Sequence, residues 1–242
     1  MKNKIIENIK TLFYALIIAL IIRSLLFQPF YIPSSSMEPN LLVGDRLFVS
    51  KYTYGYSRHS LPFSPKLFNE RIFEKKPKRG DIIVFKTPAD NRTDYIKRLI
   101  GVPGDTIQIQ EQNLYLNGQM IKRSKINYNS EIYCGSEKLD AVFFEESLPN
   151  GVNYIAAYKN EGTILNTDKF VVPENHYFFM GDNRDCSKDS RYLSSVGYVN
   201  FVNLVGKAEV IFFSNNSRKG SFLKFWKWNE TLRISRFFSK IK

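Results

Sequence analysis

The stretch Pro33-Ser34-Ser35-Ser36-Met37-Glu38-Pro39 lies a few residues beyond the only long apolar run in the chain. Three hydroxyl side chains held between two prolines form a stiff, extended segment. Beside a membrane helix, such a segment offers a candidate nucleophile at a bilayer surface. The apolar run itself is Leu12 to Ile22, extended past Arg23 and Ser24 by Leu25, Leu26 and Phe27. From Thr11 to Phe27 it is 17 residues, the short end of what crosses a hydrocarbon core of about 30 Å. The sequence predicts a span over 11–28 that Pro29 ends, with Arg23 reaching back to the interface. Lys2, Lys4 and Lys10 flank the near end, so residues 1–10 are expected in the cytoplasm and residue 29 onward across the membrane. The rival is a cleaved secretory signal, but Leu25-Leu26-Phe27-Gln28-Pro29-Phe30 has no small-x-small cleavage pattern.

Charge divides the rest. The net +12 is concentrated at the ends: residues 217–242 carry eight basic side chains against one acidic (+7), and residues 1–23 four against one (+3). By difference, residues 24–216 carry only +2, which argues against a nucleic-acid-binding core and for ends that meet anionic lipid. Two cysteines, Cys134 and Cys186, are too few for a disulfide framework, and both a bridge and two free thiols remain open.

Residues 29–216 read as a mainly β, antiparallel domain. Asp81-Ile82-Ile83-Val84-Phe85 is a buried-strand run after the basic turn Lys75–Gly80, and Asp94 to Ile100 is another strand. Pro103-Gly104 fits the centre of a type II turn, and Asn117-Gly118 that of a hairpin. Residues 52–74 read as a long loop and 122–170 as an inserted, strand-rich lobe. His176 to Met180 and Val210 to Phe213 complete the core strands. In 217–242, Ile234, Phe237, Phe238 and Ile241 fall at i, i+3, i+4 and i+7 with Trp226 and Trp228 ahead of them. That pattern predicts a basic amphipathic helix at a membrane surface, against the alternative of a tail docked on the domain.

A serine nucleophile needs a base. His59 and His176, the only histidines, sit in an aromatic loop and at the head of an apolar strand, positions that suit structural histidines. Lys97, between Ile96 and Leu99-Ile100, can act as a base once burial depresses its pKa.

Four segments occur in order: the serine run with Leu41-Leu42-Val43-Gly44-Asp45; Arg79-Gly80-Asp81-Ile82-Ile83-Val84-Phe85; Asp94-Tyr95-Ile96-Lys97-Arg98 through Gly101-Val102-Pro103-Gly104-Asp105; and Gly181-Asp182-Asn183-Arg184-Asp185-Cys186-Ser187-Lys188-Asp189-Ser190-Arg191. Together they resemble the type I (leader) signal peptidases of bacteria, Ser-Lys endopeptidases that share a fold with LexA-like self-cleaving repressors. The resemblance implies Ser36 as nucleophile and Lys97 as general base. It implies Ser34 Oγ with the Ser36 N–H as oxyanion hole, Ser187 as hydrogen-bond partner of Lys97, and Asp189 with Arg191 as braces. Phe30, Ile32, Leu41, Tyr95 and Ile96 match positions that line substrate pockets for small side chains at −1 and −3. It implies no cofactor, preproteins and a lipid bilayer as partners, and a bacterial inner membrane with the catalytic domain in the periplasm. The chain departs from the family in Ser35, where Gly is usual, and Cys186, where Asn is usual. A self-cleaving repressor lacks the anchor and needs a DNA-binding helix pair, and a catalytically inactive binding module would not depend on Ser36 or Lys97.

Overall fold

The computed structural model describes residues 2–67, 69–220 and 224–241. Its first element, α1 (Lys2–Ile21), continues through a π-helical turn over Ile22–Leu26. The stretch Lys4–Leu26 is long and apolar enough to cross a membrane, and almost none of it is buried against protein. The helix thus starts about nine residues before the span expected at 11–28. It also ends before Pro29, because the chain turns extended at Phe27 (φ −127°, ψ 136°).

The strands follow as β1 (Phe27–Tyr31), β2 (Asp45–Ser50), β3 (Ile82–Lys86), β4 (Asp94–Gly101), β5 (Thr106–Gln110), β6 (Asn113–Leu116), β7 (Gln119–Met120), β8 (Lys122–Ile126), β9 (Ile132–Cys134), β10 (Glu137–Leu139), β11 (Ala141–Ser147), β12 (Asn153–Lys159), β13 (Phe170–Val171), β14 (His176–Met180), β15 (Val199–Asn200), β16 (Leu204–Ser214) and β17 (Ser239–Lys240). The main sheet has the order β1-β2-β16-β3-β4-β14-β15, with β17 added on β16, and its pairings are antiparallel. Pro29 is tolerated because β1 is the edge strand, where a missing N–H breaks no ladder. In β3, Ile82 and Val84 join one apolar cluster with Ile32, Leu41 and Leu47, while Ile83 and Phe85 join another with Leu99 and Phe179. Burial on both faces is why this strand reads as a continuous apolar run rather than an alternation.

Strands outside the main sheet run from Thr106 to Val171 as the sheets β13-β5-β6-β7 and β12-β11-β8 and the hairpin β9–β10. The strand-rich lobe expected over 122–170 therefore begins earlier, since β13 pairs back onto β5. The expected turns form: Asp105 N–H donates to Val102 O at 3.0 Å with Gly104 at φ 86°, and Asn117 and Gly118 are both left-handed at the β6–β7 turn.

The tail overturns one expectation. Residues 217–242 hold no long amphipathic helix among the described residues: α2 is only Trp228–Thr231, followed by a 3₁₀ turn at Ile234–Arg236 and β17. Phe238 sits at φ 56°, a conformation no helix passes through. Phe237 packs on Phe213, Ile241 packs against the apolar cluster of Ile32, Leu41 and Leu47, and Ile234 and Phe238 face outward. Three of the tail's cations are spent on carboxylates near the serine run. Arg218 pairs with Glu38, and Arg233 and Arg236 pair with Asp45. The helical spacing of the apolar residues is real, but ion pairing and strand addition decide the backbone.

Candidate active site

Ser36 follows β1 in a segment pinned from both sides. Its carbonyl accepts the Asn183 N–H at 3.1 Å, the Ser35 carbonyl accepts Asn183 Nδ2 at 3.1 Å, and the Met37 side chain is fully buried. Ser35 is buried and is not among the positive-φ residues, so a Cβ costs nothing where the family often has Gly. Lys97 projects from β4, 3% exposed, and its Nζ is hydrogen-bonded to Ser36 Oγ. Burial pushes the Lys97 pKa down to about 8, against the pull of the Asp189 and Asp182 carboxylates and with help from the Arg191 guanidinium. Ser34 is exposed, with its Oγ 3.4 Å from Ser36 Oγ. Among the described residues, the Ser36 N–H has no acceptor.

The loop after β14 closes the back of the site. Asp189 makes a two-pronged pair with Arg191, both contacts 2.8 Å, and accepts the Gly181 N–H at 2.9 Å. Ser187 is buried beside them, close to the Asp189 carboxylate. Among the described residues, the bond from Ser187 to Lys97 that the resemblance implies is not formed. Gly181 must be Gly: a Cβ there would lie 2.2 Å from Ser187 Oγ and 2.4 Å from the Ser36 carbonyl. Gly181→Ala is expected to lower kcat at least tenfold while the fold persists, read from steady-state rates alongside a melting curve.

A cleft of about 520 Å³ opens over Ser36 and Lys97, lined by Phe30, Ile32, Val84, Tyr95 and Ile96 among others. Four of the five expected pocket residues are there. Leu41 is not, since it is fully buried in the apolar cluster beneath. Val84 was missed because a strand buried on both faces gives no signal of which side meets a cleft. Both walls offer open strand edges. β1 is the sheet edge, and β14 pairs β4 only from Arg98 onward, leaving Asp94–Lys97 unpaired on that side.

Other residues that hold the site were not anticipated in their roles. Arg98 and Asp182, both fully buried, make two 2.8 Å contacts, and Asn40 Nδ2 donates to Asp182 at 2.8 Å. Asp185 accepts from Lys159 N–H and Thr163 Oγ. Cys134 and Cys186 form a disulfide that ties β9 to the loop after β14, closing the pairing that the sequence left open. Neither histidine lines the cleft. His59 contacts Ser64 and Arg58, and His176 the Glu174 carbonyl.

The sequence profile of the family described as signal peptidase, peptidase S26, matches residues 5–213. The chain belongs to that family. It is 40% identical to a signal peptidase I of Rickettsia typhi over 94% of this chain and 90% of that one, and 41% identical to one of Rickettsia bellii over 96% and 84%. A crystal structure of a signal peptidase I from Enterococcus faecalis is 30% identical, covering 55% of this chain and 97% of that one with a TM-score of 0.33. Family membership together with the unpacked apolar helix makes this a membrane-anchored member.

Proposed function

We propose that this protein removes N-terminal signal peptides from exported preproteins by Ser-Lys catalysis. The observation that carries the reading is a buried lysine amine on Ser36 Oγ, at the floor of a cleft walled by two unpaired strand edges. A peptide entering extended adds main-chain hydrogen bonds to those edges. With its pKa lowered to about 8, Lys97 is neutral in an appreciable fraction of molecules near neutral pH and accepts the proton of Ser36 as Oγ attacks the scissile carbonyl. The oxyanion is held by Ser34 Oγ and the unused Ser36 N–H. The lysine passes its proton to the leaving amine, then activates the water that releases the acyl-enzyme. The apolar lining of Phe30, Ile32, Val84 and Ile96 supports small side chains at −1 and −3. The anchor supports a bacterial inner membrane with residues 1–10 in the cytoplasm and the catalytic domain in the periplasm.

The test is cleavage of a signal-peptide-bearing preprotein by the full chain in detergent. A single cut after Ala-x-Ala, abolished by Leu at −1, is expected; no cut would sink the assignment. Ser34→Ala is expected to lower kcat by about 10²–10³-fold with little change in KM, measured on the same preprotein.

A further inference from the structure

A second cavity, about 720 Å³, adjoins the cleft and shares Phe30 and Asp94 with it. Six cations line it: Arg23, Lys51, Arg58, Lys66, Lys86 and Arg92, against the carboxylates of Asp90 and Asp94. Among the described residues, only Lys86 of the six has a carboxylate partner, Asp94 at 2.8 Å. Asp90 is taken up by Thr93 and the Arg92 N–H. Lys51 is buried and spends its ammonium on the Ser60 carbonyl. The uncompensated charge is felt locally. Burial, with Arg23 and Lys86 beside it, lowers the Lys51 pKa to about 8. Burial, then Arg58 and Lys86, lowers that of His59 to about 4. Nothing in the proposed peptidase chemistry uses this cavity.

Its place in the fold indicates the ligand. The loop that builds it is tied to the end of the membrane helix: Lys51 N–H donates to the Leu26 carbonyl at 3.0 Å and Tyr56 OH to the Leu25 carbonyl at 3.0 Å. Arg23 comes from the helix itself. From the same loop Phe63, fully exposed and left-handed at φ 63°, and Leu67, 73% exposed, project into solvent. Apolar tips beside unpaired cations at a helix exit are the pattern of a surface that meets an acyl–headgroup boundary. Arginine forks match phosphate oxygens two at a time. We propose that this cavity binds the phosphate of an anionic phospholipid headgroup, with Phe63 and Leu67 seated among the acyl chains. Through Phe30 and Asp94 the bound headgroup forms part of the cleft's outer wall. The inference rests on the membrane placement proposed above, not on the peptidase chemistry.

The test is a ³¹P NMR titration of the full chain in uncharged detergent micelles. Its probes are dihexanoyl-phosphatidylglycerol, dihexanoyl-phosphatidylcholine and inorganic phosphate. Saturable one-to-one binding is expected for the glycerol lipid, at least tenfold tighter than for either other probe. A triple variant Arg58→Gln, Lys66→Gln, Arg92→Gln should bind on the order of a hundredfold more weakly, while Lys122→Gln, Lys125→Gln, two exposed lysines of β8 outside the cavity, should match wild type. Equal binding by the two variants, or an affinity for phosphatidylcholine or inorganic phosphate as high as for the glycerol lipid, overturns the site. Preprotein cleavage by the triple variant in lipid-free micelles keeps the two readings apart. Retained cleavage is expected, whereas its loss would assign these cations to the peptidase machinery instead of a lipid site.

Discussion

Ser36→Ala and Lys97→Met should each abolish preprotein cleavage, with a loss on the order of 10⁶-fold, the scale seen when a serine hydrolase loses its nucleophile or base. The two variants differ in stability, and that difference makes the experiment specific. Lys97 titrates at about 8 in the fold and near 10.4 unfolded. Between those values the unfolded chain holds more protons, so stability rises with pH across that window and the penalty is fully present below it. Removing the amine while keeping its volume relieves that penalty, roughly 3 kcal/mol, and Lys97→Met should melt several degrees higher at pH 7. Ser36→Ala should leave melting near wild type. The wild-type kcat/KM should climb with pH through an apparent pKa of about 8, because only the neutral amine accepts the serine proton. An acidic limb near 10, or a Lys97→Met variant that melts no higher than wild type, would contradict a buried neutral base.

What the sequence revealed divides along the range of the forces involved. Strands β3 and β4 and the turns at Pro103-Gly104 and Asn117-Gly118 were legible because β-branched and aromatic composition and left-handed φ are local properties. Ser36 and Lys97, 61 positions apart, were legible only through four motifs that co-occur in order. Nothing local marks Lys97 as facing Ser36. The tail misled because an apolar i, i+3, i+4, i+7 spacing is a weak preference beside three guanidinium–carboxylate pairs that bind residues 218–236 to Glu38 and Asp45. Leu41 misled in another way, since proximity in sequence to the serine run does not say which side of the backbone meets solvent. The partners that fix the loop after β14, Arg98 for Asp182 and Glu146 for Arg184, were not legible at all. They pair over 84 and 38 positions, and any charged residue of the right sign could have filled either role.

The second of those pairs carries the largest expected effect on stability. Arg184 and Glu146 are almost fully buried, joined by contacts of 3.0 and 2.7 Å. Tyr154 OH and Tyr158 OH donate to the same carboxylate at 2.7 and 2.5 Å. Glu146 belongs to β11 and Arg184 to the loop after β14, so the cluster joins the lobe to the segment that holds Ser36 through Asn183. Glu146→Ala leaves a guanidinium in the interior with no anion, and breaking a buried pair from one side costs about 3–5 kcal/mol. At this chain length that is a drop of roughly 10 °C or more in Tm. Replacing both partners together should cost less than the sum of the single losses, because no charge is then stranded. The cluster also sets an acid limit. Burial alone would raise the Glu146 pKa, but the Arg184 guanidinium and the two tyrosine hydroxyls outweigh it and hold the carboxyl below its ordinary value of 4.5. Its contribution is therefore intact above the unfolded pKa and is lost as pH falls through the lower folded value. Wild type should keep cleaving after brief exposure to pH 4, whereas Glu146→Gln, whose neutral amide cannot gain from ionising, should show a melting temperature less dependent on pH between 3 and 5. If both proteins lose Tm in parallel over that range, the acid sensitivity lies elsewhere and Glu146 is not the anion that secures the loop.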